Sequence, residues 1–213
     1  MLREIAHLLA TAPTSLRLLA TCPSDELYDE VMRRCDEEGF AGWREDLVRG
    51  LGGEVLEIGA GTGLMFPHYG GGAAVTAVEP DEKALERARA RAEAAQARIE
   101  VLAGSAEALP FEEGRFDAVV MALVLCSVDD VPAALREVAR VLRPGGEVRL
   151  IEHVRSERPV AGRLMDAANP LWRWMNRVGC NLNRPAETTL REAGYTLREV
   201  RPFQLFGSCL PAF

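Results

Sequence analysis

The chain has 213 residues, 48% of them hydrophobic and 6% aromatic, with 25 basic against 32 acidic side chains and a net charge of −7. That length and composition suit one globular domain with a full apolar core and exclude a disordered chain. The acidic balance argues against a nucleic-acid partner, which needs clustered Lys and Arg, and no run reaches the roughly 18 apolar residues of a membrane span.

In residues 1–20, Leu2, Ile5, Leu8 and Leu9 share one helical face, and Leu16, Leu18 and Leu19 form a second apolar group. Pro13 interrupts the pattern, and no sustained apolar stretch marks a secretory leader. The segment reads either as a helix packed on the domain or over its cleft, or as an amphipathic segment in weak contact with a membrane surface. From 25 to 48, Leu27, Val31, Met32, Leu47 and Val48 keep helical spacing, and Gly39 and Gly42 are expected to split the stretch into two helices. Residues 1–50 are therefore expected to form a helical N-terminal cap.

Beyond Gly53 short β-rich runs alternate with helical patterns. Strands are expected at 55–58, 74–78, 99–103, 118–124 and 148–154, with a last one near 196–202. Helices are expected at 82–96, 131–142 and 186–193. Near-continuous apolar strands alternating with helices imply an α/β domain over 51–213, a Rossmann-like, doubly wound, mostly parallel sheet with helices on both faces. Residues 156–184 form an inserted lid.

The five cysteines, Cys22, Cys35, Cys126, Cys180 and Cys209, form no CxxC pair and no zinc-ligand spacing with histidine. They read as free thiols in a reducing cytoplasm, with no structural disulfide and no metal site.

The first strand ends in Glu57-Ile58-Gly59-Ala60-Gly61-Thr62-Gly63. A strand running into a glycine-rich turn and then a helix exposes backbone N–H groups at the carboxyl edge of the sheet, where ligands of open α/β sheets bind. A dinucleotide fingerprint needs a third glycine where Leu64 stands, which argues against an NAD-dependent oxidoreductase. The second strand ends at Val78-Glu79-Pro80. There the Glu79 carboxylate can accept hydrogen bonds from both ribose hydroxyls of a nucleoside and would repel a 2′-phosphate.

Glu57-x-Gly59-x-Gly61-x-Gly63 resembles motif I of the class I S-adenosylmethionine-dependent methyltransferases. Gly104-Ser105-Ala106-Glu107-Ala108-Leu109-Pro110-Phe111 resembles the segment after strand three in the ubiquinone/menaquinone-type enzymes. Ser105 replaces the aspartate that commonly contacts adenine there. Arg115-Phe116-Asp117 and Leu142-Arg143-Pro144-Gly145-Gly146 resemble the entries to strands four and five. The resemblance implies S-adenosylmethionine as cofactor, with S-adenosylhomocysteine as product. It implies a cofactor site of Glu57, Gly59, Ala60, Gly61, Thr62, Gly63, Glu79, Pro80, Ser105, Ala106, Glu107 and Leu123, with Tyr28 closing over the methionine end.

On the acceptor side, the segments 122–128, Glu152-His153-Val154, Asn169-Pro170-Leu171-Trp172 and 179–184 resemble the methyltransferase-like subfamily that includes thiol S-methyltransferases. This implies a small-molecule acceptor, with a thiol as one candidate, and an acceptor site of Cys126, His153, Asn169, Trp172 and Cys180. A thiol with its usual pKa of about 8.5 needs little help to ionise, so a dedicated base is not obligatory. If one acts, His153 at the end of strand five is the catalytic candidate; otherwise it orders its loop. Trp172 and Trp174 either wall the acceptor pocket or bury the lid helix. Lipid, quinone or amine acceptors stay open, as does a catalytically silent nucleoside-binding module. Members of this fold usually end in an antiparallel hairpin. Here the final antiparallel strand is expected to be missing, truncated or unusually placed, leaving a sheet edge that would favour a homodimer.

Overall fold

The computed structural model describes residues 24–175, 179–205 and 210–212. The apolar groups of residues 1–20, Cys22 and Cys209 lie outside the described residues, as does the side chain of Tyr28.

Helix α1 (Ser24–Cys35) passes through one wide turn, Asp36–Phe40, into α2 (Ala41–Val48). The break falls at Gly39, whose φ of 111° no helix accommodates. Gly42, the other expected breaker, lies inside α2.

Strands β1 (Gly53–Ile58), β2 (Ala73–Glu79), β3 (Arg98–Ala103), β4 (Phe116–Ala122) and β5 (Leu142–Ile151) form one sheet in the order β3-β2-β1-β4-β5. Every pairing is parallel. Helix α3 (Glu82–Glu93) joins β2 to β3, and α4 (Val131–Val141) joins β4 to β5. Alternation along the strands sends side chains to opposite faces. Leu56, Ile58, Val119 and Met121 pack with Leu135 and Val138 of α4, whereas Val55, Val75, Ala77 and Val120 pack with Ala88 of α3. Chain order reverses between β1 and β4, so the crevice at their carboxyl ends is the ligand position of such a sheet.

Three expectations change. No α-helix follows β1: the chain makes turns and one short 3-10 turn, Phe66–His68, because residues 59–72 hold six glycines and Pro67. Strand β5 starts six residues earlier than expected. It carries a bulge, because the pairing steps from Phe116–Leu142 to Ala118–Glu147 around Gly145 at φ 83°. The stretch 196–202 is not a strand. Instead β6 (Phe203–Leu205) pairs antiparallel with β7 (Leu210–Ala212) as a separate two-stranded sheet. The final antiparallel strand is thus present but displaced from the parallel sheet. Phe203 is held away from it by Trp43, with ring centroids 4.3 Å apart, and by Phe40.

Helix α5 (Pro159–Met175) lies in the expected lid, and α6 (Ala186–Glu192) follows it. Among the described residues no helix is long and apolar enough to cross a membrane.

Candidate active site

The glycine turn is shaped by backbone geometry that only glycine adopts freely. Gly59, Gly61 and Gly63 have φ of 68°, 54° and 84°. A Cβ on Gly59 would lie 2.7 Å from Val124, and one on Gly63 would lie 2.7 Å from the Phe66 ring, whereas Gly61 faces open space. Gly61 is therefore the position where the backbone is bare towards a ligand. Gly59 is where the turn is packed against the loop after β4.

Glu79, at the end of β2, is only 9% exposed. Its Oε2 accepts from the Gly61 amide at 2.8 Å and its Oε1 from the Asp81 amide at 3.0 Å. Burial pushes its carboxyl up from the usual range, and those two amides oppose the shift. The bonds fix the carboxylate at the end of β2 and leave it spare lone pairs. Pro80 follows it directly, ahead of Asp81, whose side chain caps α3 by accepting from Lys83 and Ala84.

Thr62 is committed to the protein. Its hydroxyl donates to Asp29 at 2.5 Å, and its carbonyl accepts from Arg91 at 2.6 Å. Arg91 also pairs with Asp29 at 2.8 Å. Helix α1 is thereby tied to the glycine turn through Asp29, a residue that no local pattern singles out.

Behind the turn, Glu57 is fully buried with Oε2 unpartnered, and burial drives its carboxyl up to about 8 against the pull of Tyr69 and Arg44. Arg44 lies in the same recess, lined also by Gly59, Ala60, Leu64, Met65 and Ala122. Asp36 holds its Nε at 3.1 Å and the Phe40 ring stacks on it, while Nη2 is buried without a partner. Sequence spacing missed Arg44, since α1, the wide turn and α2 must fold together before it faces the turn.

Ser105 donates its hydroxyl to Glu107 and accepts from the Glu107 amide at 3.3 Å. Glu107 also receives the amide of Asp129 at 3.0 Å, so this pair fixes the rim between β3 and the loop before α4. Ala106 is buried behind it. Leu123 has φ 61°, unusual for a residue with a side chain, and its amide bonds to Ile151 at 2.7 Å.

The acceptor-side residues are organised by Glu152, which is 0% exposed. Its carboxylate accepts from the amides of Val124 and Leu125 at 2.6 Å each and of Cys126 at 3.3 Å. This buried pin, set by β5, shapes the loop after β4. Burial raises the Glu152 carboxyl well above its usual range, against the bonds from that loop.

Cys126, His153 and Cys180 come from three separated segments, yet their ligating atoms all lie within 4.8 Å of one another. Linear spacing gave no such cluster; the fold assembles it. His153 is buried and bonds through Nε2 to the Asn181 carbonyl. The Cys180 sulfur is 3.6 Å from each ring nitrogen. The neighbouring Cys180 thiol and burial push the Cys126 thiol far up, while Cys126 draws the Cys180 thiol down. Burial lowers the His153 imidazole, but the thiol of Cys126 and the carboxyl of Glu152 outweigh it, for a net rise.

Asn169 is a strut: it donates to Asn181 Oδ1 at 3.3 Å and accepts from the Leu182 amide at 2.8 Å. Asn181 in turn donates through its backbone and side chain to the Cys126 carbonyl at 2.8 and 2.9 Å. Trp172 lies beside the Cys180 sulfur. Trp174 is 81% exposed, so it neither walls the pocket nor buries the helix. A separate concavity of 340 Å³ opens between α4 and α6, lined by Pro132, Leu135 and Thr189, and includes none of these residues.

Residues 56–150 match the methyltransferase domain family. The chain is 34% identical to the human thiol S-methyltransferase TMT1A over 184 residues, 84% of this chain and 74% of that protein. It is also 34% identical to the phosphatidylethanolamine N-methyltransferase of Cereibacter sphaeroides, over 62% of this chain and 64% of that protein. Among solved structures, the YcgJ protein of Bacillus subtilis superimposes with a TM-score of 0.64 at 26% identity, covering 77% of this chain and 71% of its own. The glycine turn, the strand-end carboxylate and the strand order are those of one nucleoside-binding sheet, and the chain belongs to the class I S-adenosylmethionine-dependent methyltransferases.

Proposed function

We propose that this methyltransferase acts on a small thiol, binding S-adenosylmethionine across the carboxyl ends of β1 and β2. The observation that carries the cofactor site is the pair of leftover polar atoms, Glu57 Oε2 and Arg44 Nη2, in the recess behind Gly59. A buried carboxyl oxygen and a buried guanidinium nitrogen, each without a hydrogen bond, fit a ligand whose tail bears both an ammonium and a carboxylate. A cation there favours the ionised form of Glu57 and offsets the cost of burying it. Glu79 holds the ribose, Gly61 offers bare backbone, and Ser105 has an oxygen lone pair for an amino group on the base. When bound, the cofactor supplies an electrophilic methyl on a sulfonium, so the protein's task is alignment and exclusion of water.

The thiol reading is supported by the likeness to TMT1A, which spans 84% of this chain. It is also supported by the meeting of Cys126 after β4, His153 after β5 and Cys180 after α5. Val124 packs against Gly59 there, joining the acceptor loop to the cofactor turn. His153 orders the loop through its bond to the Asn181 carbonyl. The free thiols Cys35, Cys126 and Cys180 suit a reducing compartment, and this reading puts the enzyme in the cytoplasm. A lipid-borne amine is the second reading. Val160, Leu164, Leu171 and Trp174 form an exposed apolar stripe on α5, and one relative is named for phosphatidylethanolamine.

The test is methyl-labelled cofactor offered with small thiols, phosphatidylethanolamine vesicles and a demethylated quinone. Labelled thioether should be the dominant product; product confined to the lipid or quinone arm overturns the thiol assignment.

A further inference from the structure

We infer that Cys126, His153 and Cys180 form a three-ligand zinc site whose fourth position takes the sulfur of the acceptor. Only the identity of that fourth ligand rests on the thiol reading above.

Zinc bonds thiolate sulfur at about 2.3 Å and imidazole nitrogen at about 2.0–2.1 Å in a tetrahedron, which places ligand atoms about 3.5–3.8 Å apart. The Cys180 sulfur is 3.6 Å from His153 Nδ1 and equally far from Nε2, and the whole set lies within 4.8 Å. Nε2 faces the Asn181 carbonyl, which can only accept, so Nε2 carries the proton and Nδ1 keeps its lone pair for a metal. Donation of the second ring N–H to a backbone carbonyl is the outer-shell bond that fixes metal-bound histidines.

The remaining supports are equally built in. Glu152 and Asn181 clamp the Cys126 backbone from both sides, through its amide and its carbonyl. Asn169 fixes Asn181 and the following residue, so the Cys180 loop is held as well. Two sulfurs and one nitrogen are the donor set that zinc takes in catalytic sites with an open position. Cys126 and His153 are buried and Cys180 is half-buried, so a fourth ligand approaches from the side of Cys180 and Trp172. A thiol bound there loses its proton to solvent and stays as a thiolate, since a coordinating thiol is deprotonated by the ion's charge.

The test is a cobalt(II) titration of the full chain after chelator treatment, then competition with zinc chloride. One equivalent of cobalt should give thiolate-to-metal charge-transfer absorption with tetrahedral d–d bands, displaced by zinc. Cys126→Ser and Cys180→Ser should each weaken zinc binding by roughly 100-fold or more. The unmodified chain's spectrum decides the matter even if a variant fails to fold. Adding 2-mercaptoethanol without S-adenosylmethionine should shift the d–d bands.

No cobalt binding, binding without the thiolate band, or variants that bind as tightly as the parent overturns the metal site. Unshifted d–d bands overturn the open position. A successful cobalt titration with no thioether in the acceptor screen sinks the thiol reading and leaves the metal site standing; the reverse pattern does the opposite.

Discussion

At the scale of single residues, the cofactor site is a problem of buried charge. Glu79 is held by two amides and keeps capacity for a sugar, so Glu79→Ala should weaken S-adenosylhomocysteine binding by about 100-fold or more, two charge-assisted bonds being lost. Calorimetry checks this, and unchanged affinity removes Glu79 from the site. Arg44→Lys keeps the charge but loses the fork, and should weaken binding by about tenfold while far-UV circular dichroism stays that of the parent.

Glu57 makes a pH-dependent prediction. Its carboxyl titrates near 8 in the folded chain against about 4.3 when unfolded. Below the unfolded value the group is protonated in both states and costs nothing. As pH rises from there to 8 the unfolded state releases its proton first, so stability falls across that window. Glu57→Gln, which cannot ionise, should match the parent near pH 4 and exceed it by up to about 4–5 kcal/mol at pH 8 without ligand, read by urea unfolding at both pH values.

At the scale of elements, the glycine turn replaces the helix expected after β1, and its strain is local. Gly63→Ala would place a Cβ at φ 84° and 2.7 Å from Phe66, and should destabilise the chain by about 2–3 kcal/mol. Thermal unfolding measures it. Asp81→Ala removes two capping bonds from α3 and should cost about 1 kcal/mol with little effect on ligand affinity. Asp29 links α1 to Thr62 and Arg91, so the first described helix and the cofactor turn move together.

For the whole molecule, folding and cofactor capture are coupled. The sheet crevice exists only in the folded chain, so ligand at about 100 times its Kd should add about 2.7 kcal/mol and raise Tm by roughly 5–10 °C. Differential scanning fluorimetry with S-adenosylhomocysteine tests this, and NADH should produce no such shift.

The parallel sheet, its two helical faces and the glycine-to-Glu79 cradle could be read from the chain alone, because each rests on local periodicity or on residues within one βαβ unit. Strand ends and helix caps carry their own chemistry at fixed offsets. The displaced β6–β7 pair, the bulge in β5 and the absent helix after β1 could not be read, because long-range packing against Trp43, register with β4 and accumulated glycine decided them. Likewise Arg44, Asp29 and Glu152 gain meaning only when distant segments meet. Cys126, His153 and Cys180 are the plainest case: 27 residues separate each from the next, and only the joined ends of β4, β5 and the loop after α5 make them neighbours. Local sequence fixes what a segment prefers; the close-packed interior fixes which side chains share a site.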